Sequence, residues 1–485
     1  MSQNKNIAVK QIDVLHVSIE YYPAAKAGGL ADVVGALPKY LNANDFNMAV
    51  VIPKHHTKWI LDQKWEQVFK GQVKVGADSY DFTVQQHTPF EEHPLYVIDL
   101  PGLFDRKSIY IDSVTGYGYT DDHVRNIAFQ MAVLEWIITL RKFPKVIHCH
   151  DHHTGLLPFM MNHCAYYKRL NKIPTVFTIH NGAYHGAFSW KEENLIPIFD
   201  LQVKGLLDWD NQINPLACGV KCCWKLTTVS PGYMEELRYN SNGLESLFEQ
   251  ESAKSVGLIN GIDIDVWNPA TDPRLKTHLK KEVADFKQKN KKELAKNFKF
   301  DAALPLVTFI GRLAYEKGAQ ILPDLFVRYL DQHQDVVFLV LGTGDKYIEK
   351  LLKETQKMYS KNVRVHIGYD ESLAHHLYAG SDFLIMPSKV EPCGLNQMYA
   401  MRYGTIPVVN AVGGLKDTVI DINRKDGYGI CFHTATVFSA YDAVRRAAKL
   451  YTEQKIFTKL QTKVSKLDFS WKASAKQYAS IYQNL

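Results

Sequence analysis

Several short segments of this chain hold side chains that can bind anions or sugars. Lys26-Ala27-Gly28-Gly29-Leu30-Ala31-Asp32 sets a full positive charge beside two glycines, just ahead of an apolar run at helical spacing. Glycines let the backbone approach a ligand closely, and a helix start offers free N–H groups to an anion. The loop therefore suits a phosphate, and a plain strand-to-helix turn is the alternative. His148-Cys149-His150-Asp151-His152-His153 puts four histidines and an aspartate in six residues directly after a short apolar run. Contact with a sugar or phosphate, structural hydrogen bonding and metal ligation all remain open for it. A loop at the carboxyl end of a strand is where α/β domains bind substrates.

Gly311-Arg312-Leu313-Ala314-Tyr315-Glu316-Lys317-Gly318 follows another apolar run. An arginine fork and a lysine point charge five residues apart around a turn can clamp a diphosphate. A surface ion pair of Arg312 with Glu316 is the competing reading. Glu391-Pro392-Cys393-Gly394-Leu395 enters a helical pattern, so Gly394 and Leu395 can offer N–H groups to phosphate while Glu391 accepts from sugar hydroxyls. Val412-Gly413-Gly414-Leu415 is a second paired-glycine loop. The G-x-x-x-x-G-K-[ST] spacing of a P-loop is absent. Gly342-Thr343-Gly344 lacks the third glycine of a dinucleotide fingerprint. Asp263-Ile264-Asp265 has the form of a D-x-D metal motif but belongs to the turn Asn260-Gly261-Ile262-Asp263, and no metal is assigned to it.

The elements that must carry these loops are short apolar runs alternating with helical patterns. Runs are at 14–19, 48–52, 95–98, 146–148, 175–179 and 226–229, and the pattern starts again at 306–310, 336–341, 363–367, 383–386 and 406–409. Helical stretches at 319–330 and 347–358 separate some of the later ones. Such alternation predicts mostly parallel sheets with helices on both faces. Two blocks predict two doubly wound domains facing across a cleft. The lysine-rich stretch 276–300 between them is interrupted by Val283, Phe286, Leu294 and Phe298, which reads as a helix with a solvated basic face.

At 485 residues the chain has room for two to four domains. Hydrophobic residues at 46% and charged residues at 22% exclude a disordered or fibrous protein. A net charge of +6 is too mild to announce a nucleic-acid partner. No apolar run approaches the ~18 residues of a membrane span, and the polar first ten residues lack a signal-peptide core. The seven cysteines have no metal-site spacing and read as reduced, mostly buried thiols of a cytoplasmic protein.

Taken together and in order, Lys26 to Leu30, His150 to Leu156, Thr178-Ile179-His180-Asn181, Val229-Ser230-Pro231, Asn260 to Asp263, Arg312 to Gly318 and Glu391 to Gln397 resemble the bacterial glycogen synthases and plant starch synthases, over nearly the whole chain. The resemblance implies a GT-B fold, two Rossmann-like domains with the active site between them. Residues 1–250 would form the acceptor-side domain and 251–465 the nucleotide-sugar domain, with a last helix in 466–485 crossing back. It implies retaining transfer of glucose from ADP-glucose to the non-reducing end of an α-1,4-glucan, without cofactor or metal, membrane or nucleic acid. A related enzyme using UDP-glucose or a small acceptor is the alternative.

Carried over by position, Lys26, Gly28, Gly29 and Asp32 match the family's phosphate- and acceptor-side loop. Arg312 and Lys317 match the pair that neutralises the leaving diphosphate, and Glu391 the acid that binds the transferred glucose. His153 and Asp121 match sugar contacts, Asn181 and Asn260 lie in cleft loops, and Cys393, Gly394 and Leu395 line the donor side. Tyr369 is expected to stack on the base. The chain departs from the family at His152, where tryptophan is usual, near His185, where glutamine is usual, and at Glu316, where glutamine is common.

Overall fold

The computed structural model describes residues 11–42, 46–89, 93–112 and 115–485. The polar amino terminus discussed above lies outside them. The chain divides into two compact units. The first comprises the residues up to Val229, Met234–Leu258 and Trp471–Leu485, and the second Ser230–Tyr233 and Ile259–Ser470.

The strands of the first unit are β1 Val14–Val17, β2 Met48–Pro53, β3 Lys64–Val75, β4 Asp78–Thr88, β5 Leu95–Asp99, β6 Val146–His150, β7 Thr175–Ile179, a two-residue hairpin pair β8 Asp208–Trp209 and β9 Gln212–Ile213, then β10 Lys225–Thr228 and β11 Ser255–Gly257. All but the hairpin form one sheet in the order β11-β10-β7-β6-β1-β2-β5-β4-β3. Seven of its strands run parallel, and β4 and β3 are antiparallel additions. The central strands are buried along their full length because helices cover both faces, which is why they read as unbroken apolar runs.

The second unit holds β12 Leu306–Ile310, β13 Val337–Gly342, β14 Val363–Ile367, β15 Phe383–Met386, β16 Ile406–Asn410 and β17 Ile430–Phe432. They pair, all parallel, in the order β14-β13-β12-β15-β16-β17. That order is the doubly wound pattern in which the chain reverses direction once, between β12 and β15. The corresponding reversal in the first unit lies between β1 and β6. Loops at the carboxyl ends of strands flanking a reversal diverge and leave a crevice for a ligand.

The last helix, Trp471–Gln483, belongs to the first unit. It buries Trp471, Ala475, Tyr478, Ala479 and Tyr482 against Val33, Leu37 and Leu41 of the helix Gly29–Asn42, and against Val14, Val146 and Val176 of the sheet. Burying a side chain of this size contributes roughly 1.5–3 kcal/mol.

The lysine-rich stretch is the helix Val283–Phe298, with Val283, Phe286 and Leu294 buried as expected. Its face is not wholly solvated, however. Lys287 and Lys291 are buried too. Lys287 Nζ donates to Tyr378 O at 2.8 Å and Thr405 Oγ1 at 2.5 Å, and Lys291 pairs with the equally buried Asp382 at 2.6 Å. The apolar stem of a lysine fits a core position when its head finds such partners. All seven cysteines are free and buried. No helix among the described residues is long and apolar enough to cross a membrane.

Candidate active site

In the second unit, the loops after β12 and β15 meet at the strand reversal. Lys317, at the end of a short 3₁₀ turn after β12, donates from Nζ to both carboxylate oxygens of Glu391, at 2.7 and 2.8 Å. Ser388 Oγ donates to Glu391 Oε2 at 3.0 Å. Glu391 is buried, and Lys317 is about a quarter exposed. The turn is forced into this position by Gly318. Its φ of 69° is left-handed, and a Cβ there would fall 1.9 Å from Pro387 O. Only glycine fits that backbone, so the lysine's approach to the β15 loop is written into the residue that follows it. The two loops are also joined by backbone bonds, since Lys389 N and Val390 N both donate to Glu316 O.

Arg312 stands differently. It is two-thirds exposed, and its guanidinium pairs with Glu316 Oε1 at 2.5 Å. The ion pair named as the competing reading is therefore present. The loop carrying Arg312 is held by the loop after β13. Leu313 N donates to Thr343 O, Asp345 N donates to Leu313 O, and a Cβ on Gly342 or Gly344 would clash with the Gly311 or Leu313 carbonyl. Glu349, reaching back from the helix Lys346–Met358, accepts from Thr343 Oγ1 and Gly344 N. Those bonds, led by the one from Thr343, hold its carboxyl down at about 2.

Asn260 is buried, and its backbone lies close enough to Cys393 to act on the thiol, so these two predicted residues are neighbours. Burial pushes the Cys393 thiol up to about 12, and it stays protonated. Gly394 has a φ of 72°, and Leu395 caps the helix Asn396–Arg402. Gly414 touches the Cys393 carbonyl so closely that a Cβ would fall 2.1 Å away, which makes the second paired-glycine loop a packing feature. Tyr369, in the loop after β14, is 80% exposed.

In the first unit, the loops after β1 and β6 flank the other reversal. The organising residue is one that spacing did not single out. Glu20 Oε2 accepts from Ala27 N at 2.6 Å and Gly28 N at 2.9 Å, which fixes the glycine loop. Its Oε1 accepts from the Tyr110 hydroxyl at 2.6 Å. The Tyr110 ring stacks on His153, with centroids 5.2 Å apart and 29° between planes. Glu20, Tyr110 and His153 are thus one constellation drawn from three distant parts of the sequence. A lone glutamate after a strand carries no motif, and only the turn that brings Gly28 back onto it makes it legible.

Lys26 and Asp32 pair with each other at 2.7 Å. A Cβ on Gly28 or Gly29 would meet nothing within 4 Å, and neither has a left-handed φ. Neither packing nor backbone strain requires glycine there, whereas close approach by a ligand would. Asp121 is held by a two-pronged bond from Arg106, at 2.7 and 2.5 Å, which keeps its carboxyl below the ordinary range. Asp151, with a φ of 56°, accepts from His180 N at 2.7 Å and Asn181 N at 3.3 Å. Burial nevertheless raises its carboxyl to about 7.

His16, His148 and His150 bring one nitrogen each within 4.8 Å of one another. Their rings stack, however, His148 on His150 at 4.3 Å and 22°, and His16 on His150 at 5.2 Å and 17°. His16 Nδ1 and His150 Nε2 lie 2.9 Å apart and engage each other. Both nitrogens of His148 are already engaged, with the Tyr482 hydroxyl and with Thr178 Oγ1, each at 2.6 Å.

With this geometry in view, the comparisons with known proteins are decisive. Residues 13–250 match the starch synthase catalytic domain, and residues 290–464 the group 1 glycosyl transferases. A glycogen synthase of Flavobacterium johnsoniae is 45% identical over 97% of this chain and 98% of its own length. The chain belongs to the glycogen synthase family. It is a glycosyltransferase of GT-B fold, as the resemblance in its motifs implied. The catalytic domain of Arabidopsis thaliana starch synthase IV, solved with ADP and acarbose, is 32% identical and superposes with a TM-score of 0.86 over 98% of this chain and 99% of that one. Sucrose-phosphate synthase from Thermosynechococcus elongatus, at 17% identity and a TM-score of 0.63 over 98% of this chain and 99% of that one, shares the fold.

Against its family, the departures at 152, 185 and 316 fall at identifiable contacts. Glu316 is the partner of Arg312. His152 rests on Gly186, where a Cβ would fall 2.4 Å from its ring, and it lines a cavity of about 280 Å³ with Tyr119, Asp122, His123 and Asn126. His185 Nε2 is 3.1 Å from Ser241 O.

Proposed function

We propose that this glycosyltransferase moves glucose from ADP-glucose to the non-reducing 4-hydroxyl of an α-1,4-glucan with retention of configuration. The observation that carries the reading is the Lys317–Glu391 contact at the strand reversal of the second unit. It puts one cation and one anion where a charged leaving group and an electron-poor sugar carbon need opposite help.

The reaction breaks the bond from the anomeric carbon to the diphosphate and forms one to the acceptor oxygen. Negative charge grows on the phosphate as positive charge grows on the sugar. Lys317, joined by Arg312 once it leaves Glu316, would take the first, and Glu391 would stabilise the second. Preorganised groups of this kind are commonly the largest single contribution to catalysis. Glu391 is an unsuitable covalent nucleophile, because Lys317 engages both its oxygens. The acceptor would attack from the face the phosphate leaves, and the departing phosphate oxygen would take the hydroxyl proton. Lys26 and the open glycine backbone at 28 and 29 would serve the phosphate and acceptor side, with His153, Asp121 and Asn181 as sugar contacts. Asn260 and the segment Cys393 to Leu395 would line the donor, and Tyr369 would offer a face to the base.

The test is incubation of the pure protein with glycogen and glucose-labelled ADP-glucose or UDP-glucose. Label entering polymer faster from ADP-glucose supports the reading. Faster transfer from UDP-glucose, or transfer only to small sugars, favours the alternative.

A further inference from the structure

A chain of three imidazoles runs through the first unit to the edge of its candidate site. His16 lies on β1, His150 on β6, and His180 follows β7, so the chain crosses three adjacent strands at their carboxyl ends. His16 Nδ1 is 2.9 Å from His150 Nε2, and His150 Nδ1 is 3.0 Å from His180 Nε2. His16 and His150 are fully buried, while His180 keeps about 9% of its surface.

Charge is excluded from this chain. Burial holds His16 and His180 at about 3 and pushes His150 well below the ordinary histidine range. The neighbouring titratable groups agree. His93 is held down by burial, the Tyr478 and Tyr482 hydroxyls come from the last helix, and Asp151 is raised towards neutrality. A neutral imidazole has one N–H and one bare nitrogen. Each contact in the chain needs one of each, so the protons must all point the same way.

The direction follows from the buried end. His16 Nε2 has no partner. If it carried the proton, a buried N–H would be orphaned, which is rarer in native proteins than a bare acceptor. The proton therefore sits on His16 Nδ1 and is donated to His150 Nε2. His150 in turn donates from Nδ1 to His180 Nε2. That leaves His180 with its N–H on Nδ1, the nitrogen not engaged by His150.

We propose that His180 is a further substrate-binding residue, a neutral Nδ1–H donor to a hydroxyl oxygen of a glucosyl unit, with its tautomer set from behind by His150 and His16. The inference rests on the glucosyl-transfer reading above. An uncharged donor suits a sugar hydroxyl better than a phosphate, and the N–H on Nδ1 is the form an unconstrained side chain would not be forced to keep. His16 and His150 are positioning residues, since they act only through His180.

Two measurements test this. Ring-nitrogen NMR on the full chain labelled in histidine reports tautomers without any turnover. Nδ1–H signals for His16, His150 and His180 are expected, and Nε2–H signals for them would overturn the proposal. Kinetics with glycogen then reads the donor. His180→Phe should lower kcat/KM roughly ten- to hundred-fold, and His180→Asn, whose amide nitrogen overlays Nδ1, should recover part of it. His16→Leu should lower kcat several-fold and mix the His180 tautomers, while His16→Asn restores both. Far-UV circular dichroism and a wild-type-like thermal transition of the first unit, which carries all three histidines, confirm that each variant is folded. Wild-type kcat/KM in a folded His180→Phe would overturn the donor role. A wild-type protein that transfers no glucose would overturn the function proposed above and the donor role with it, while the tautomer signals would still decide the relay.

Discussion

Lys317 Nζ donates to both carboxylate oxygens of Glu391, at 2.7 and 2.8 Å. The contact neutralises a buried acid and holds a lysine in place, so that neither group must be recruited when charge develops. Lys317→Ala should therefore reduce turnover by about 10²–10³, on the scale of losing one preorganised donor. Its thermal midpoint should also fall, because the buried Glu391 loses its counter-charge. Glu391→Ala should also slow turnover, and near wild-type kcat in either variant would remove the pair from the mechanism.

On the function proposed above, Glu316 would compete with the donor for Arg312. Replacing it as Glu316→Gln keeps the backbone bonds to Lys389 and Val390 and removes only the charge. Exposed pairs are worth about 0.2–1 kcal/mol, so KM for the nucleotide sugar should fall by up to about five-fold with kcat little changed. A raised KM would mean that Glu316 helps the donor.

Glu20 should matter out of proportion to its distance from any motif. Glu20→Gln weakens the hold on Ala27 N and Gly28 N and loosens Tyr110 behind His153. Turnover is expected to drop about ten-fold or more, through misplacement of groups. Unchanged kinetics would show that the glycine loop is held well enough by its pairing elsewhere.

Acid should unfold the protein through its histidines. Burial holds His16 and His180 at about 3 and His55, His93 and His152 at about 4. The unfolded chain takes up those protons near 6.5, and the native one does not until about 3–4. The unfolded state thus binds more protons across that window, so stability is fully present above about 6.5 and falls as pH drops. Asp151, raised to about 7, has the opposite sign. Its contribution is full below about 4 and lost as pH rises through 7. Five histidines outweigh one carboxyl. Urea midpoints at pH 7, 6 and 5 should decrease steadily, and a flat series would show that the rings are protonated in the folded state.

Chelation should leave glucosyl transfer intact. Both nitrogens of His148 are engaged by Tyr482 and Thr178, and on the reading proposed above cationic side chains would meet the phosphate. Activity lost in a chelator and restored by Mg²⁺ would return the histidine cluster to consideration as ligands.

Much of the scaffold was visible in the amino acids because parallel strands buried on both faces must be apolar throughout. The runs at 175–179, 306–310, 363–367 and 383–386 coincide with β7, β12, β14 and β15. The hairpin β3–β4 was invisible for the same reason. β3 is the edge strand, and along both strands buried apolar residues such as Val73, Val75, Phe82 and Val84 are interleaved with polar or exposed ones, so neither reads as an unbroken apolar run. At the site, Lys317 and Glu391 were legible from charge beside turn residues. Glu20, Tyr110 and Ser388 were not, since each is an ordinary residue whose role comes from a partner 3 to 90 positions away. Lys287 and Lys291 misled because a charged residue on a helix is solvated far more often than it is buried.

The last helix places the end of the chain inside the first unit. Synthesis from the ribosome runs the other way, amino terminus first. When residue 258 has emerged, the first sheet has all its strands, yet Val33, Leu37 and Leu41 still lack Trp471, Tyr478 and Tyr482 as cover. The second unit is contiguous but for four residues, and it can finish before the first one closes. The first unit must therefore wait, with an apolar face open, for more than two hundred residues to be made. A truncated message or a stalled ribosome would release a half with its hydrophobic seam uncovered, a natural client for chaperones and a poor starting point for domain dissection.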